Sequence, residues 1–241
     1  MTATPTGVSC IVPAYNEAPR IAAVLATLIA HPLIDEVIVV DDGSTDATAA
    51  VTSGIAGIRL LRQTANGGKT RALAAGIAAA GHDHLLLVDA DLLGLVADDL
   101  TRLIQPVLQG RADLAISLRR NAPRLWHWIG IDYISGERML RRDLIAGHLG
   151  DLSDLPRFGF EVWMNRLCIH AAARIAVVGW PMVDSPIKAR KFGWIAGLRA
   201  DLAMVADLCR TVPPLTLVRQ IAGMARLRVP KPEVLLPPDP R

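Results

Sequence analysis

Short apolar runs alternate with segments of helical periodicity along the first half of the chain. The apolar runs predict strands, in chain order, at Val8–Val12, Glu36–Val40, Ile58–Leu61, His84–Val88 and Ala112–Leu118. The periodic segments between them predict helices at Ile21–Ala30, from Asp46 through Ser53, at Lys69–Ala80 and at Leu100–Leu108. Because strand–helix–strand units cross over with one hand, this alternation predicts an α/β fold with a mostly parallel, Rossmann-like sheet flanked by helices.

The pattern loosens after Leu118 and then becomes helical. It predicts, in chain order, helices at Gly136–Ala146 and Gly159–Ala173, a strand at Ile175–Val178, and amphipathic helices at Gly193–Arg210 and Leu215–Leu227. Prolines prevent a helix over Val229–Arg241, which we interpret as a proline-rich tail. An apolar segment lies between Leu118 and the helix predicted at Gly136–Ala146. Its side chains either pack in the core or form an apolar rim at the acceptor site; they are Trp126, Trp128, Ile129, Ile131 and Tyr133.

Composition limits the class of protein. Of the 241 residues, 51% are hydrophobic and 20% are charged, a balance that excludes a disordered chain. The longest stretches without a charged residue, Met1–Asn16 and Ile21–Ile34, contain proline and fall short of the ~20 residues that a membrane-spanning helix needs. The N-terminus lacks the basic segment of a secretory signal, and the three cysteines are scattered. We therefore expect a cytosolic protein that still can contact a membrane surface.

Positive charge is concentrated near the C-terminus. Between Met182 and Lys231 there are nine basic residues and three acidic ones, whereas the whole chain has a net charge of only +3. Such an excess suits phosphate groups or an anionic lipid surface, and it also suits an ordinary solvated helix face.

Polar loops follow the predicted strands at the edge where the carboxyl ends of parallel strands meet, which is where ligands bind in open α/β sheets. Asp89 and Asp91 can point at one Mg²⁺ or Mn²⁺ ion and leave positions open for a diphosphate. The loop ending at Lys69 offers backbone N–H groups and an ammonium to an anion. Together the loops predict a site for a nucleotide diphosphate and a metal ion; they are Pro13–Glu17, Asp41–Asp46, Asn66–Lys69 and Asp89–Asp91.

The same loops resemble the nucleotide-sugar half of the family-2 glycosyltransferases, which have the GT-A fold. The resemblance lies in the segments IVPAYNE (11–17), VVDDGSTD (39–46), NGGK (66–69) and VDAD (88–91). A Gly-x-Gly-x-x-Gly fingerprint after the first strand and a P-loop around Gly67 are both missing from the sequence. The resemblance implies a nucleoside site that is lined by Pro13, Tyr15 and Glu17, with Asp42 in contact with the base. It also implies that Lys69 and Asp89 lie near the sugar-nucleotide and that Asp91 and Asp89 hold Mg²⁺ or Mn²⁺.

The second half carries a weaker resemblance that concerns the acceptor. SGERMLRR (135–142) resembles segments of polyprenyl-phosphate sugar synthases and of glucosyl-3-phosphoglycerate synthases, and FGFE (158–161) resembles a segment that both groups carry. In this resemblance Glu161 lies at the acceptor side of the sugar and is the candidate base for a hydroxyl acceptor. The metal-binding His of phosphoglycerate-type relatives is missing from Val183–Lys188, where Asp184 is the candidate substitute. The residues expected to contact an acceptor phosphate are Arg119, Arg120, Ser135, Arg138 and Arg141.

We therefore predict one GT-A glycosyltransferase domain at 1–228, with a nucleotide-sugar half at 8–118, an acceptor half at 119–192 and amphipathic helices at 193–228, followed by the tail at 229–241. The predicted reaction is metal-dependent transfer of a sugar from a UDP- or GDP-sugar to a polyprenyl phosphate at the membrane surface. The first alternative is a soluble phosphorylated acceptor such as 3-phosphoglycerate. A nucleotidyltransferase and a non-catalytic nucleotide-sugar sensor are alternatives of another class. The resemblance also implies a homodimer, and we expect no nucleic-acid partner.

Overall fold

The computed structural model describes residues 7–152, 159–185 and 212–230. Within these residues seven strands form one sheet, in the spatial order third, second, first, fourth, sixth, fifth, seventh. The strands are β1 (Val8–Ala14), β2 (Glu36–Asp41), β3 (Arg59–Arg62), β4 (His84–Leu87), β5 (Leu114–Arg119), β6 (Arg138–Arg141) and β7 (Ile175–Trp180).

All strands but one run in the same direction. The pairs β1–β2, β1–β4, β2–β3 and β5–β7 are parallel, whereas β6 is antiparallel to both β4 and β5. The carboxyl ends of the six parallel strands therefore meet at one edge of the sheet. This architecture confirms the predicted mostly parallel α/β fold.

Helices cover both faces of the sheet and bury its central strands, whereas the edge strand β3 is exposed to half-buried. One core contains Ile11 and Leu85, and the other contains Cys10 and Leu86, because successive strand residues point to opposite faces. Burial on both faces explains why the strands are continuous apolar runs in the sequence. The helices are α1 (Ile21–Ile29), α2 (Thr48–Ser53), α3 (Lys69–Ala79), α4 (Ala97–Leu108), α5 (Arg124–Ile129), α6 (Asp143–Ala146), α7 (Gly159–His170) and α8 (Pro214–Arg226).

The structure contradicts the helix predicted at Gly136–Ala146. Its central part is strand β6, and only the short helix α6 follows. Met139 belongs to one core and Leu140 to the other, which is the alternation of a strand and not the stripe of a helix. Strand β6 fills the gap between β4 and β5, and it pairs backbone groups of both strands that otherwise would lack partners there.

The remaining predicted elements of the described residues are present. Helix α8 confirms the helix predicted at Leu215–Leu227, whereas the helix predicted at Gly193–Arg210 lies outside the described residues. In the aromatic segment Trp126 is buried in the core, 5.9 Å from the ring of Tyr133, whereas Trp128 is 86% exposed. No helix in the described ranges is both long and apolar enough to cross a lipid bilayer.

Candidate active site

The four polar loops meet in one cleft at the carboxyl edge of the sheet. This cleft of about 290 Å³ lies between the ends of β1, β2 and β4 and the beginning of α3. Segments that are far apart in sequence come together here because their strands are neighbours in the sheet. The residues of the predicted nucleotide-sugar site all line the cleft: Pro13, Tyr15, Glu17, Asp42, Lys69, Asp89 and Asp91.

The first two loops are tied together by side-chain hydrogen bonds. The Asn16 backbone N–H donates to Ser44 Oγ at 3.0 Å, and the Asn16 Oδ1 atom accepts from the Thr45 backbone N–H at 2.9 Å. The Glu17 N–H donates to Thr48 Oγ1 at 2.8 Å. Helix α2 begins at Thr48, and the Thr48 N–H donates to the Asp46 carboxylate at 2.8 Å. The loops therefore hold Tyr15 and Glu17 in fixed positions on one side of the cleft.

Asp42 organises the glycine loop in front of α3. Its two carboxylate oxygens accept the backbone N–H groups of Gly67 and Gly68 at 2.9 and 2.8 Å. Gly68 has a φ of +88°, a conformation that residues with a side chain rarely adopt. The carboxylate thus fixes the turn that leads into Lys69, and it still lines the cleft.

Lys69 joins two carboxylates at the floor of the cleft. Its Nζ atom lies 2.6 Å from Asp89 Oδ1 and 3.5 Å from Glu161 Oε1. Partial burial alone would lower the pKa of Lys69, but the two carboxylates outweigh it and hold this pKa above its ordinary value. Burial likewise would raise the pKa of Asp89, but Lys69 and Arg119 hold it below the ordinary value. Lys69 and Asp89 therefore both stay charged at neutral pH.

Asp91 is in a different electrostatic environment from Asp89. Burial, together with the nearby carboxylates of Asp89 and Glu17, raises the pKa of Asp91 to about 6. Ser185 Oγ donates to its Oδ2 atom at 3.4 Å. A carboxylate that burial and like charges destabilise is a fitting ligand for a divalent cation, which would relieve both effects. Among the described residues, no three His, Cys, Asp or Glu side chains cluster closely enough to form a metal site by themselves.

Arg119 stands behind the two aspartates at the end of β5. Its Nη1 atom donates to Glu137 Oε1 at 3.2 Å, and its Nη2 atom is 4.0 Å from Asp132 Oδ2. Burial would lower the pKa of Arg119, but Glu137 and Asp132 raise it above its ordinary value, and the aspartates of the cleft contribute to this effect. The Nε atom is buried without a hydrogen-bond partner. The positive charge of Arg119 therefore lies near Asp89 and Asp91, while one of its N–H groups stays unsatisfied inside the protein.

Buried hydroxyl groups hold the carboxylate that positions Arg119. Glu137 Oε2 accepts from Ser117 Oγ at 2.7 Å and from Ser135 Oγ at 3.0 Å, and all three residues are fully buried. Ser135, which the resemblance placed at the acceptor, is thus engaged inside the protein. Its neighbour Gly136 lies against the Lys69–Asp89 ion pair.

The other predicted acceptor residues do not join the cleft. Arg138 is fully buried and donates to Ser135 O and Asn165 Oδ1 at 2.8 Å each. Because β6 is antiparallel, Arg141 pairs with His84 in the register of β4, at the opposite edge of the sheet, and forms an ion pair with Asp143. The structure therefore places Arg141 away from the cleft, whereas Arg138 is enclosed in the core near the carboxylates of Glu161 and Asp132.

Arg120 and Asp184 form an exposed ion pair beside the cleft. Asp184 also exchanges two backbone hydrogen bonds with Leu93, just after the Asp89–Asp91 loop. The candidate substitute for a missing metal ligand is therefore close to the metal loop, but its carboxylate is paired with Arg120.

Sequence comparison places the chain in a family. Residues 9–168, about two thirds of the chain, match the family described as Glycosyl transferase family 2. The chain belongs to this family. A dolichyl-phosphate beta-glucosyltransferase of Dictyostelium discoideum is 31% identical over 177 residues, which are 67% of this chain and 49% of that protein. A dodecaprenyl-phosphate galacturonate synthase of Rhizobium johnstonii is 31% identical over 122 residues, 47% of this chain and 36% of that protein.

The chain spans about half or less of the length of the curated relatives it matches, from 22% to 51%. Similar solved structures cover it more fully. Glucosyl-3-phosphoglycerate synthase of Mycobacterium tuberculosis in complex with phosphoglyceric acid has a TM-score of 0.65 and 23% identity, covering 90% of this chain and 80% of that one. The same protein with Mn²⁺, UDP-glucose and phosphoglyceric acid gives a TM-score of 0.64, 24% identity and the same coverage. These similarities confirm the GT-A fold.

Two features of the site were missed by sequence reasoning. Gly136 lies within the SGE segment (135–137), which sequence analysis singled out, but its contact with Lys69 and Asp89 was not predicted. Ser117 gave no signal, because a serine inside an apolar strand looks like any tolerated small residue.

Proposed function

We propose that the protein is a metal-dependent glycosyltransferase that moves a sugar from a nucleotide diphosphate sugar to a polyprenyl phosphate. The observation that carries the proposal is the convergence of Asp89, Asp91 and Lys69 with the predicted nucleoside-binding loop in one cleft. Family membership and the polyprenyl-phosphate and dolichyl-phosphate relatives support it.

The donor occupies the cleft in this proposal. Asp91 would hold Mg²⁺ or Mn²⁺, and it fits such an ion because it is a half-buried carboxylate whose negative charge is disfavoured by burial and by the charges of Asp89 and Glu17. When bound there, such an ion would supply positive charge to offset the negative charge that develops on the departing diphosphate. The structurally similar synthase was crystallised with Mn²⁺ and UDP-glucose, which favours a UDP-sugar as the first donor to try.

The acceptor phosphate approaches from the side of Arg119. A guanidinium suits a phosphate because its planar fork of N–H groups can form two parallel hydrogen bonds, and the ion pair with Glu137 fixes the direction of the Arg119 side chain. A phosphate oxygen is already anionic near neutral pH, so this reaction needs no strong general base. Glu161, which faces the Lys69 ammonium, then helps to position Lys69 and Asp89 instead of taking a proton.

A soluble phosphorylated acceptor is the second candidate. It is supported by the similarity to the synthase that was crystallised with phosphoglyceric acid. If the acceptor atom were a hydroxyl oxygen, Glu161 would be the nearby carboxylate able to take its proton.

The test is a screen with purified protein, Mg²⁺ or Mn²⁺, and a panel of UDP- and GDP-sugars. Each donor is offered a polyprenyl phosphate in detergent or 3-phosphoglycerate, and the released nucleotide diphosphate is measured. We expect release that depends on the lipid. Release that depends only on 3-phosphoglycerate would establish the soluble acceptor. Pyrophosphate formation from a sugar 1-phosphate and a nucleoside triphosphate would indicate a nucleotidyltransferase, and tight donor binding without any turnover would indicate a sensor.

A further inference from the structure

A second and larger cavity lies along β7, apart from the cleft. It has a volume of about 630 Å³ and lies between β7, helix α4 and the segment Val229–Pro230. We call it the β7 groove. Within the described residues β7 is an edge strand, with a ladder to β5 on one side and a single bridge from Ile175 to Arg228 on the other. The volume is within the ~300–1,000 Å³ range of small-molecule sites.

The β7 groove combines an apolar floor with a cationic rim. Apolar side chains such as Leu118, Val178 and Val229 contribute to its wall, and no Asp or Glu is among its described lining residues. The basic residues that line it are Arg102 and Arg120, which are ion-paired with Asp98 and Asp184 outside the lining, together with Arg111 and His127. This distribution matches a ligand with an apolar body and an anionic group, and it disfavours a small polar metabolite.

One end of the β7 groove is next to the candidate active site. Arg120, which lines the groove, directly follows Arg119 on β5 and forms an ion pair with Asp184. The adjacent residue Ser185 hydrogen-bonds Asp91 in the cleft. Only the short segment 184–185 therefore separates the cationic end of the groove from the predicted metal ligand.

We propose that the β7 groove binds the first isoprenoid units of the acceptor lipid, with the phosphate directed over Arg120 toward the cleft. This inference rests on the proposed function, because it assumes a polyprenyl phosphate as acceptor. It adds a place for the hydrocarbon chain, which the cleft lined by Asp89 and Lys69 cannot shelter, and it makes chain length a determinant of affinity.

The first test uses the unaltered protein without any donor. Binding of isopentenyl phosphate and of farnesyl phosphate is measured by isothermal titration calorimetry below the micellar concentration. Each methylene group that leaves water raises affinity roughly fourfold, so even partial burial of ten additional carbons predicts at least about tenfold tighter binding of farnesyl phosphate. Equal affinities of the two phosphates would overturn the proposal.

The second test fills the groove. A Cβ atom at Gly179, which lines the groove, would meet nothing within 4 Å, so Gly179→Phe adds a ring there without a backbone clash. Gly147, just after α6, has equally open space and lies outside the groove, so Gly147→Phe is the matched control. We expect Gly179→Phe to lose the preference for farnesyl phosphate and Gly147→Phe to keep it. Thermal denaturation checks that both variants fold, and Gly179→Leu provides a smaller plug.

The outcomes separate this proposal from the proposed function. If farnesyl phosphate accepts sugar from the donor with the same KM in the unaltered protein and in Gly179→Phe, the groove proposal is wrong and the function stands. A second outcome is that farnesyl phosphate binds the unaltered protein but not Gly179→Phe, while no isoprenoid phosphate accepts sugar. In that case the groove is a lipid site and the proposed function fails.

Discussion

A methyl group added at Gly136 would perturb the candidate active site without removing any charged group. A Cβ atom at this position would lie 2.5 Å from Lys69 Nζ and 2.6 Å from Asp89 Oδ2, whereas ordinary contacts begin at 3.4 Å. The two charged groups must therefore retreat by about 0.8 to 0.9 Å. Both are the ends of flexible side chains, so the fold can absorb the movement.

The expected consequence is a loss of rate with little loss of stability. A misplacement of about 1 Å in an active site can cost roughly 100-fold in rate, so we expect Gly136→Ala to lower kcat by about 10- to 100-fold. Gly136 does not have the positive φ that only glycine tolerates, so the substitution adds no backbone strain. The melting temperature should fall by no more than a few degrees.

The assay is steady-state release of nucleotide diphosphate with the donor and acceptor found in the screen. Gly147→Ala is the matched control, because its Cβ would meet nothing within 4 Å. A kcat of Gly136→Ala within twofold of the control would refute the view that the Lys69–Asp89 geometry is critical. A large loss of thermal stability would show instead that the glycine serves the fold.

Three further predictions concern the charged residues Arg119, Arg138 and Asp132. Arg119→Lys removes the planar fork of the guanidinium and should raise the KM for the acceptor at least about tenfold. Arg141→Ala is the control and should leave KM and kcat within about twofold, because Arg141 pairs with Asp143 at the opposite edge of the sheet. Equal effects of the two substitutions in steady-state kinetics would contradict this prediction. Arg138→Met should destabilise the protein by about 3 kcal/mol in urea unfolding by leaving buried acceptors unpaired, and a loss below 1 kcal/mol would contradict it. Burial raises the pKa of Asp132 to about 6, so the folded state binds more protons than the unfolded state between about pH 4 and 6, and stability should fall as pH rises through that window. Asp132→Asn should remove this part of the pH dependence of stability, which is measured as the urea midpoints at pH 4.5 and pH 7. The same pH dependence in the variant and in the unaltered protein would refute the prediction.

The donor half could be predicted from sequence because its signals are local. Each motif directly follows its own strand, and parallel strands bring their carboxyl ends to the same edge whatever their order in the sheet. Asp89, Asp91 and Lys69 could therefore be assigned to one cleft without knowledge of packing. The sequence does not show which charged groups become partners. The ion pair between Lys69 and Asp89, which gives Asp89 a different environment from Asp91, is an example.

The acceptor half was harder because its determinants are distant and short. Strand β6 has only four residues, too few for periodicity to distinguish a strand from a helix. Once β6 is antiparallel, residues three positions apart fall at opposite edges, which carries Arg141 away from the cleft. Arg138 is buried because Asn165, 27 residues later, supplies an acceptor, and no local pattern indicates such a pairing.

The account is tested most directly by following a labelled sugar. Purified protein with Mn²⁺ and a radiolabelled nucleotide sugar is given polyprenyl phosphate and 3-phosphoglycerate together, and the products are partitioned between organic and aqueous phases. We predict label in the organic phase with the unaltered protein and almost none with Asp91→Asn. Label found only on 3-phosphoglycerate, or equal organic label with Asp91→Asn, would contradict the account.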